Sequence, residues 1–149
     1  MSTFFVRPFL KDMTVGSRIA FSRRMRGMSR KELALKIGLG EKNGCRIMSR
    51  YERSTRIPSK EKLRAIADCL KINIRMISEY DLSNVDDVIC ILLWIDELCP
   101  NYVLSPPESS YVSEIQKYCS DIRSEWLKMK NKLQNEEISY VEYWEWKMQ

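Results

Sequence analysis

The chain has 149 residues and a hydrophobic fraction of 44%, which is typical of a folded protein of one or two small domains. It contains no histidine, which excludes histidine-dependent catalysis, histidine metal ligands and a histidine pH switch. Up to Tyr80 it carries 19 basic and 7 acidic residues, and beyond Tyr80 it carries 6 basic and 13 acidic residues. This asymmetry predicts a polyanion-binding module over residues 1–80 and an acidic region, 81–149, that does not contact the polyanion.

The cysteines and the apolar runs favour a cytoplasmic protein. There are five cysteines, an odd number, and they form no CxxC pair. We therefore predict reduced thiols, with no metal site and no cofactor. The apolar run near the start is interrupted at Arg7 and Pro8, before it reaches the length of a signal peptide. The longest uncharged apolar run, residues 88–95, is far shorter than the roughly 20 residues that span a membrane.

The first two predicted elements are short helices. The first covers about residues 14–26 and ends at Gly27. A capping box of Ser29 with Glu32 begins the second, which runs to Gly38.

Three further short helices follow before Tyr80. A loop over residues 39–44 leads to the third helix, at about residues 45–53. Ser59 caps the fourth helix, and Asn73 caps a short fifth one.

The acidic region is also predicted to be helical. A box-like start at Ser83 begins a helix that runs to Cys99, and a second box at Ser139 begins a terminal helix. Between them, a long helix of about 25 residues carries apolar residues in the alternating spacing of a heptad seam. The seam consists of Val112, Ile115, Cys119, Ile122, Trp126, Met129 and Leu133. The whole chain is therefore predicted to be all-α.

Residues 29–58 read SRKELALKIGLGEKNGCRIMSRYERSTRIP, in which Ala34 lies between Leu33 and Ile37 and is followed by Gly38. Over about residues 14–80 the chain resembles the helix-turn-helix family of phage repressors and Cro proteins, the lambda-repressor-like regulators. In such a motif two helices meet at a steep angle, which needs a small residue at the contact. The resemblance implies a five-helix DNA-binding domain followed by a C-terminal helical region.

The resemblance also implies which residues hold the recognition helix. Met48 and Tyr51 match its buried positions. Arg23 matches a basic residue that pairs with the acid at Glu52, and a bidentate pair of this kind would fix the angle of the helix.

Three features depart from the family pattern. The loop after Gly38 is about four residues longer than the minimal turn of such motifs. Ser54 stands where the family usually has the glycine that ends the recognition helix, and Ser22 stands where it has a large apolar residue.

Helix geometry predicts the DNA contacts. If Met48 and Tyr51 are buried, the opposite face of the third helix carries Cys45, Arg46, Ser49 and Arg50. Arginine reads guanine through two hydrogen bonds, so Arg46 and Arg50 are the main candidates for base readout, with phosphate contact as the other interpretation. The resemblance and the longer loop add phosphate contacts at Arg30, Lys42, Asn43, Arg53, Thr55, Arg56 and Lys60.

These residues predict a regulator of transcription that binds double-stranded DNA and is not an enzyme. We expect a repressor that binds an inverted-repeat operator as a homodimer through the major groove. The heptad seam supplies the dimer, packs internally or binds another protein, and the sequence leaves these alternatives open. The alternative function is an antitoxin, or a phage or mobile-element protein, whose C-terminal half inhibits a protein target while the N-terminal half regulates its own promoter.

Overall fold

The computed structural model describes residues 8–98 and 124–149, and every regular element in these two ranges is a helix. The predicted all-α class is confirmed for this part of the chain. The elements are α1 (Val15–Met25), α2 (Arg30–Lys36), α3 (Gly44–Glu52), α4 (Lys60–Leu70), the 3-10 helix η1 (Ile74–Ile77), α5 (Val85–Leu98), α6 (residues 124–134) and α7 (Tyr140–Met148).

No helix among these is long and apolar enough to cross a membrane.

Side-chain caps begin the helices where the sequence predicts them. The Ser29 hydroxyl accepts the Glu32 N–H at 3.1 Å, and the Glu32 carboxylate accepts the Ser29 N–H at 2.6 Å. This box lowers the pKa of Glu32, because the Ser29 N–H donates to the charged carboxylate. Thr14 and Ser59 cap α1 and α4 through their hydroxyls. Asn73 caps the fifth element, which is a 3-10 helix of four residues rather than an α-helix.

The elements from α1 to α5 lie in one compact unit, Met1–Pro100 with Met148–Gln149, and a second unit comprises Asn101–Lys147. The core of the first unit combines apolar side chains from each of its helices. Its fully buried members include Ile19, Phe21, Leu33, Met48, Ile66, Leu70, Ile77 and Trp94. Burial of these side chains is the main stabilisation of the unit.

Helix α5 is part of the first unit, although the charge changes sign before it. Trp94 on α5 packs edge-on against Phe21, with ring centroids 5.6 Å apart, and its indole N–H donates to the Met76 carbonyl at 2.8 Å. The first compact unit therefore continues beyond Tyr80, the residue at which the charge changes sign. Charge marks a change in surface composition, whereas the apolar residues of α5 decide the packing.

Two arginines form hydrogen bonds that hold η1 and the segment after it in place. Arg18 is only 2% exposed and donates to the carbonyls of Met76 and Ser78, both at 2.7 Å. Its guanidinium lies 4.2 Å from the Tyr80 ring centroid. Burial lowers the pKa of Arg18 and raises the pKa of Tyr80, because it disfavours the charged form of each. Arg75 donates to the Asp87 carboxylate on α5 at 2.9 Å.

The second unit contains α6 and most of α7. The Trp126 indole N–H donates to the Tyr143 hydroxyl at 2.8 Å, and Tyr143 stacks on Trp146 with centroids 6.1 Å apart. The predicted capping box is present, with the Glu142 N–H donating to the Ser139 hydroxyl at 3.2 Å.

The heptad seam is described only in part. Trp126, Met129 and Leu133 lie on α6 and are half-buried. The other predicted members, Val112, Ile115, Cys119 and Ile122, lie outside the described residues.

Candidate nucleic-acid interface

Helices α2 and α3 cross where two small residues meet. Ala34 is 1% exposed, and a Cβ built on Gly44 would lie 3.0 Å from the Ala34 Cβ and 3.3 Å from the Leu39 Cβ. A side chain at position 44 would press against Ala34 and Leu39, so the close approach of the two helices favours small residues at positions 34 and 44. The sequence pattern predicts the small residue at Ala34 but places Gly44 in a loop. The spacing of Gly44, four residues before the buried Met48, is the sequence signal that places the glycine on the same face.

A second glycine holds the opposite end of α3. A Cβ on Gly16 would clash with the Tyr51 carbonyl and would lie 2.8 Å from the Glu52 carbonyl. The first turn of α1 therefore packs directly on the backbone at the end of α3. Gly16 carries no local sequence signal, because nothing in its neighbours indicates which distant backbone approaches it.

The carboxylate of Glu52 binds two arginines. Arg23 donates to it through Nε at 2.5 Å and through Nη2 at 3.2 Å, and these side chains are 9% and 2% exposed. This is the bidentate pair that the resemblance implies. Arg30 donates through Nε at 2.7 Å to the same carboxylate, while 41% of its side chain is exposed. Arg30, which is predicted from the sequence only as a phosphate contact, thus also links α2 to α3.

The buried face of α3 consists of Gly44, Met48 and Tyr51, with Met48 0% and Tyr51 4% exposed. The residues proposed for base readout lie on the other face of the helix. Cys45, Arg46 and Arg50 are exposed there, and Ser49 is half-buried. The structure thus brings these four side chains together on one outward surface, in which both charged members are basic.

The residues proposed to contact phosphates flank this surface. Those in the loops and at the start of α4 are all exposed: Lys42, Asn43, Arg53, Thr55, Arg56 and Lys60. The segment after α3 is ordered by its own bonds. The Thr55 N–H and hydroxyl both donate to the Arg50 carbonyl, at 3.0 and 3.2 Å, and the Arg56 guanidinium lies 6.0 Å from the Tyr51 ring centroid.

The end of α3 has the geometry of a Schellman motif. The Ser54 N–H donates to the Tyr51 carbonyl at 3.0 Å, the Thr55 N–H donates to the Arg50 carbonyl, and Ser54 has a left-handed φ of 57°. This position favours glycine, which is the residue that the family usually carries there. The departure at Ser54 therefore leaves the helix end intact but places a serine in a strained backbone conformation.

Comparisons with protein-family models, with curated proteins and with solved structures find no match for this chain. The functional interpretation therefore depends on the geometry of its own residues.

Proposed function

We propose that this protein binds double-stranded DNA in a sequence-specific manner, with α3 lying in the major groove. One observation carries the proposal: α3 buries its apolar face and its single acid, Glu52, and presents an outward face whose charged residues are all basic. An α-helix fits the major groove of B-form DNA, and arginines there read guanine.

The contacts that hold α3 in place suit a helix that reads DNA. Its angle is fixed by close packing on Ala34 at its first turn, and by Gly16 and the Arg23–Glu52 pair at its last turn. Side chains on a rigid element hold their geometry better than side chains on a loop. Arg46 and Arg50 are one helical turn apart and are assigned to base readout, together with Cys45 and Ser49.

The flanking groups supply affinity without sequence preference. Exposed basic residues on both sides of α3 are placed to neutralise phosphates and so position the helix in the groove. Arg30 is assigned to this set, because its guanidinium is oriented by Glu52 and remains partly exposed. As the sequence resemblance implies, the proposal includes a lambda-repressor-like domain and a regulator that represses transcription from an inverted-repeat operator as a dimer.

Selection of bound duplexes from a random pool tests this proposal. We expect an enriched site with two-fold symmetry, tight binding of the purified chain to that site, and affinity that falls steeply with salt as counterions are released. Equal affinity for the selected and a scrambled duplex at moderate salt would contradict it. Arg24→Ala is the matched control, because Arg24 is exposed on α1 outside the proposed contact set; this variant should bind as the wild type does.

A second candidate function, an antitoxin or inhibitor that binds a protein target through its C-terminal half, is favoured by apolar side chains on α6. Leu127 is 50% exposed, and Trp126 and Met129 are only half-buried. Affinity purification of the full chain from its source cell distinguishes the two. A target that is retained by Arg50→Ala and lost by Leu127→Asp would support the inhibitor.

A further inference from the structure

A groove of about 380 Å³ lies beside the end of α3. It is formed by the start of α1, the last turn of α3, the loop before α4, and Tyr80. Met13, Val15, Tyr51 and Pro58 give it a largely apolar lining. Ile57, which also lines it, is 70% exposed. Ile57 extends the apolar lining of the groove onto the protein surface, where a second molecule can pack against it.

The charges in this groove are self-complementary. Two exposed charged side chains line it, Arg56 and Glu79, and they have opposite signs. The third charged residue, Arg18, is buried and bonded to carbonyl groups. When two copies of such a patch meet across a two-fold axis, Arg56 of each copy can face Glu79 of the other, with the apolar lining between the two pairs.

We propose that this groove is a contact surface for a second copy of the same chain. The inference rests on the proposed function to the extent that an inverted repeat brings two copies together with two-fold symmetry. Tyr51 is shared by the groove and by α3, so the contact adjoins the DNA-facing helix. A weak contact suffices at such a site, because binding to adjacent half-sites raises the effective concentration of each copy near the other.

The test uses the full chain without DNA, because Arg56 is also assigned to phosphate contact. Sedimentation equilibrium over a concentration series measures self-association of the wild type, Arg56→Glu, Glu79→Arg and the double variant. Each single variant should associate about ten-fold more weakly or worse, because it places like charges opposite each other. The double variant should recover, and an equimolar mixture of the single variants should form a heterodimer.

Asp68→Arg provides the matched control, since Asp68 is exposed on α4 and does not line the groove. It should associate as the wild type does, and thermal melts should show that all the variants are folded. Equal association of wild type and single variants would overturn the inference. So would loss in the single variants without recovery in the double variant or the mixture. The series extends to millimolar chain, where even a weak contact between two copies is populated, so a wild type that stays monomeric there would exclude a second copy as the occupant.

The two proposals fail separately. Charge-dependent association without any DNA sequence preference would leave this contact standing and remove the proposed function. Sequence-specific binding by a chain whose association ignores these charges would do the reverse.

Discussion

Glu52 is the only acid in α3, and both of its carboxylate oxygens accept hydrogen bonds from arginines. The outward face of the helix is therefore left with basic charges alone. A carboxylate on the outward face would repel phosphates. Buried between Arg23 and Arg30, it instead neutralises one buried arginine and orients a second, partly exposed one. The basic outward face of α3 therefore depends on a charge pair in the interior.

Arg46 and Arg50 are expected to differ from Arg56 in what they recognise. Replacing Arg46 or Arg50 with alanine should cost about 1–3 kcal/mol on the preferred duplex and relax the preference at one base pair, whereas Arg56→Ala should weaken all duplexes similarly. Fluorescence anisotropy against the selected site and its single-base variants measures this. If Arg50→Ala weakened selected and random duplexes equally, Arg50 would be a phosphate contact.

Ser54→Gly should stabilise the protein. A left-handed conformation costs a non-glycine residue about 1–2 kcal/mol, which glycine avoids. The greater conformational freedom of glycine in the unfolded chain offsets about 0.4–1 kcal/mol of that stabilisation. We expect a net increase of roughly 0.5–1 kcal/mol in the free energy of unfolding, measured by urea denaturation. Ser54→Val is the opposing control and should destabilise, because a β-branched side chain tolerates a positive φ poorly. A destabilised glycine variant would show that the Ser54 hydroxyl matters more than the backbone.

At the scale of the elements, helix starts are predictable from sequence because capping is local. Ser29 with Glu32 and Ser139 with Glu142 bond within four consecutive residues, so the pattern contains the whole interaction. The contacts that fix α3 and α5 are different. Gly16, Arg18 and Trp94 act on residues distant in the chain, and no local pattern names the partner of such a residue.

The capping box of α2 should make the stability of the first unit depend on acid. The pKa of Glu32 is lowered in the folded chain, so its contribution is complete above the ordinary glutamate pKa and is lost as the pH falls through the lowered value. Thermal melts of the wild type and Glu32→Gln should therefore differ most near neutral pH and converge in acid. A difference that does not change between neutral and acidic pH would contradict this role of the charge.

The packing of α5 predicts the result of truncation. Trp94→Ala should destabilise the first unit by about 3–5 kcal/mol, because it leaves a large cavity beside Phe21. A fragment of residues 1–80 should lose at least as much, while a fragment of residues 1–98 keeps this contact. Calorimetry or denaturant unfolding of both fragments measures the difference. Equal stability of the two would mean that α5 packs on a domain already complete without it.

At the scale of the whole molecule, two copies on one duplex must match the geometry of the DNA. Half-sites of an inverted repeat lie about 10 base pairs apart, centre to centre, when two copies bind the same side of the helix. Inserting about 5 base pairs between the half-sites turns one of them to the opposite side. We expect the insertion to reduce affinity to that of a single half-site, and about 10 inserted base pairs to restore part of it. Affinity that is insensitive to spacing would indicate independent binding.

The attachment of α5 also has a consequence for synthesis on the ribosome. Met76 and Phe21 lack their contacts with Trp94 until α5 leaves the ribosome. By then every residue assigned to DNA contact has already emerged. A nascent chain whose residues 1–80 have emerged from the ribosome while α5 is still inside it therefore exposes all the residues assigned to DNA contact on an incomplete core. We expect such a chain to be more sensitive to proteases than a nascent chain whose α5 has also emerged. The first unit therefore becomes stable during synthesis only when α5 leaves the ribosome.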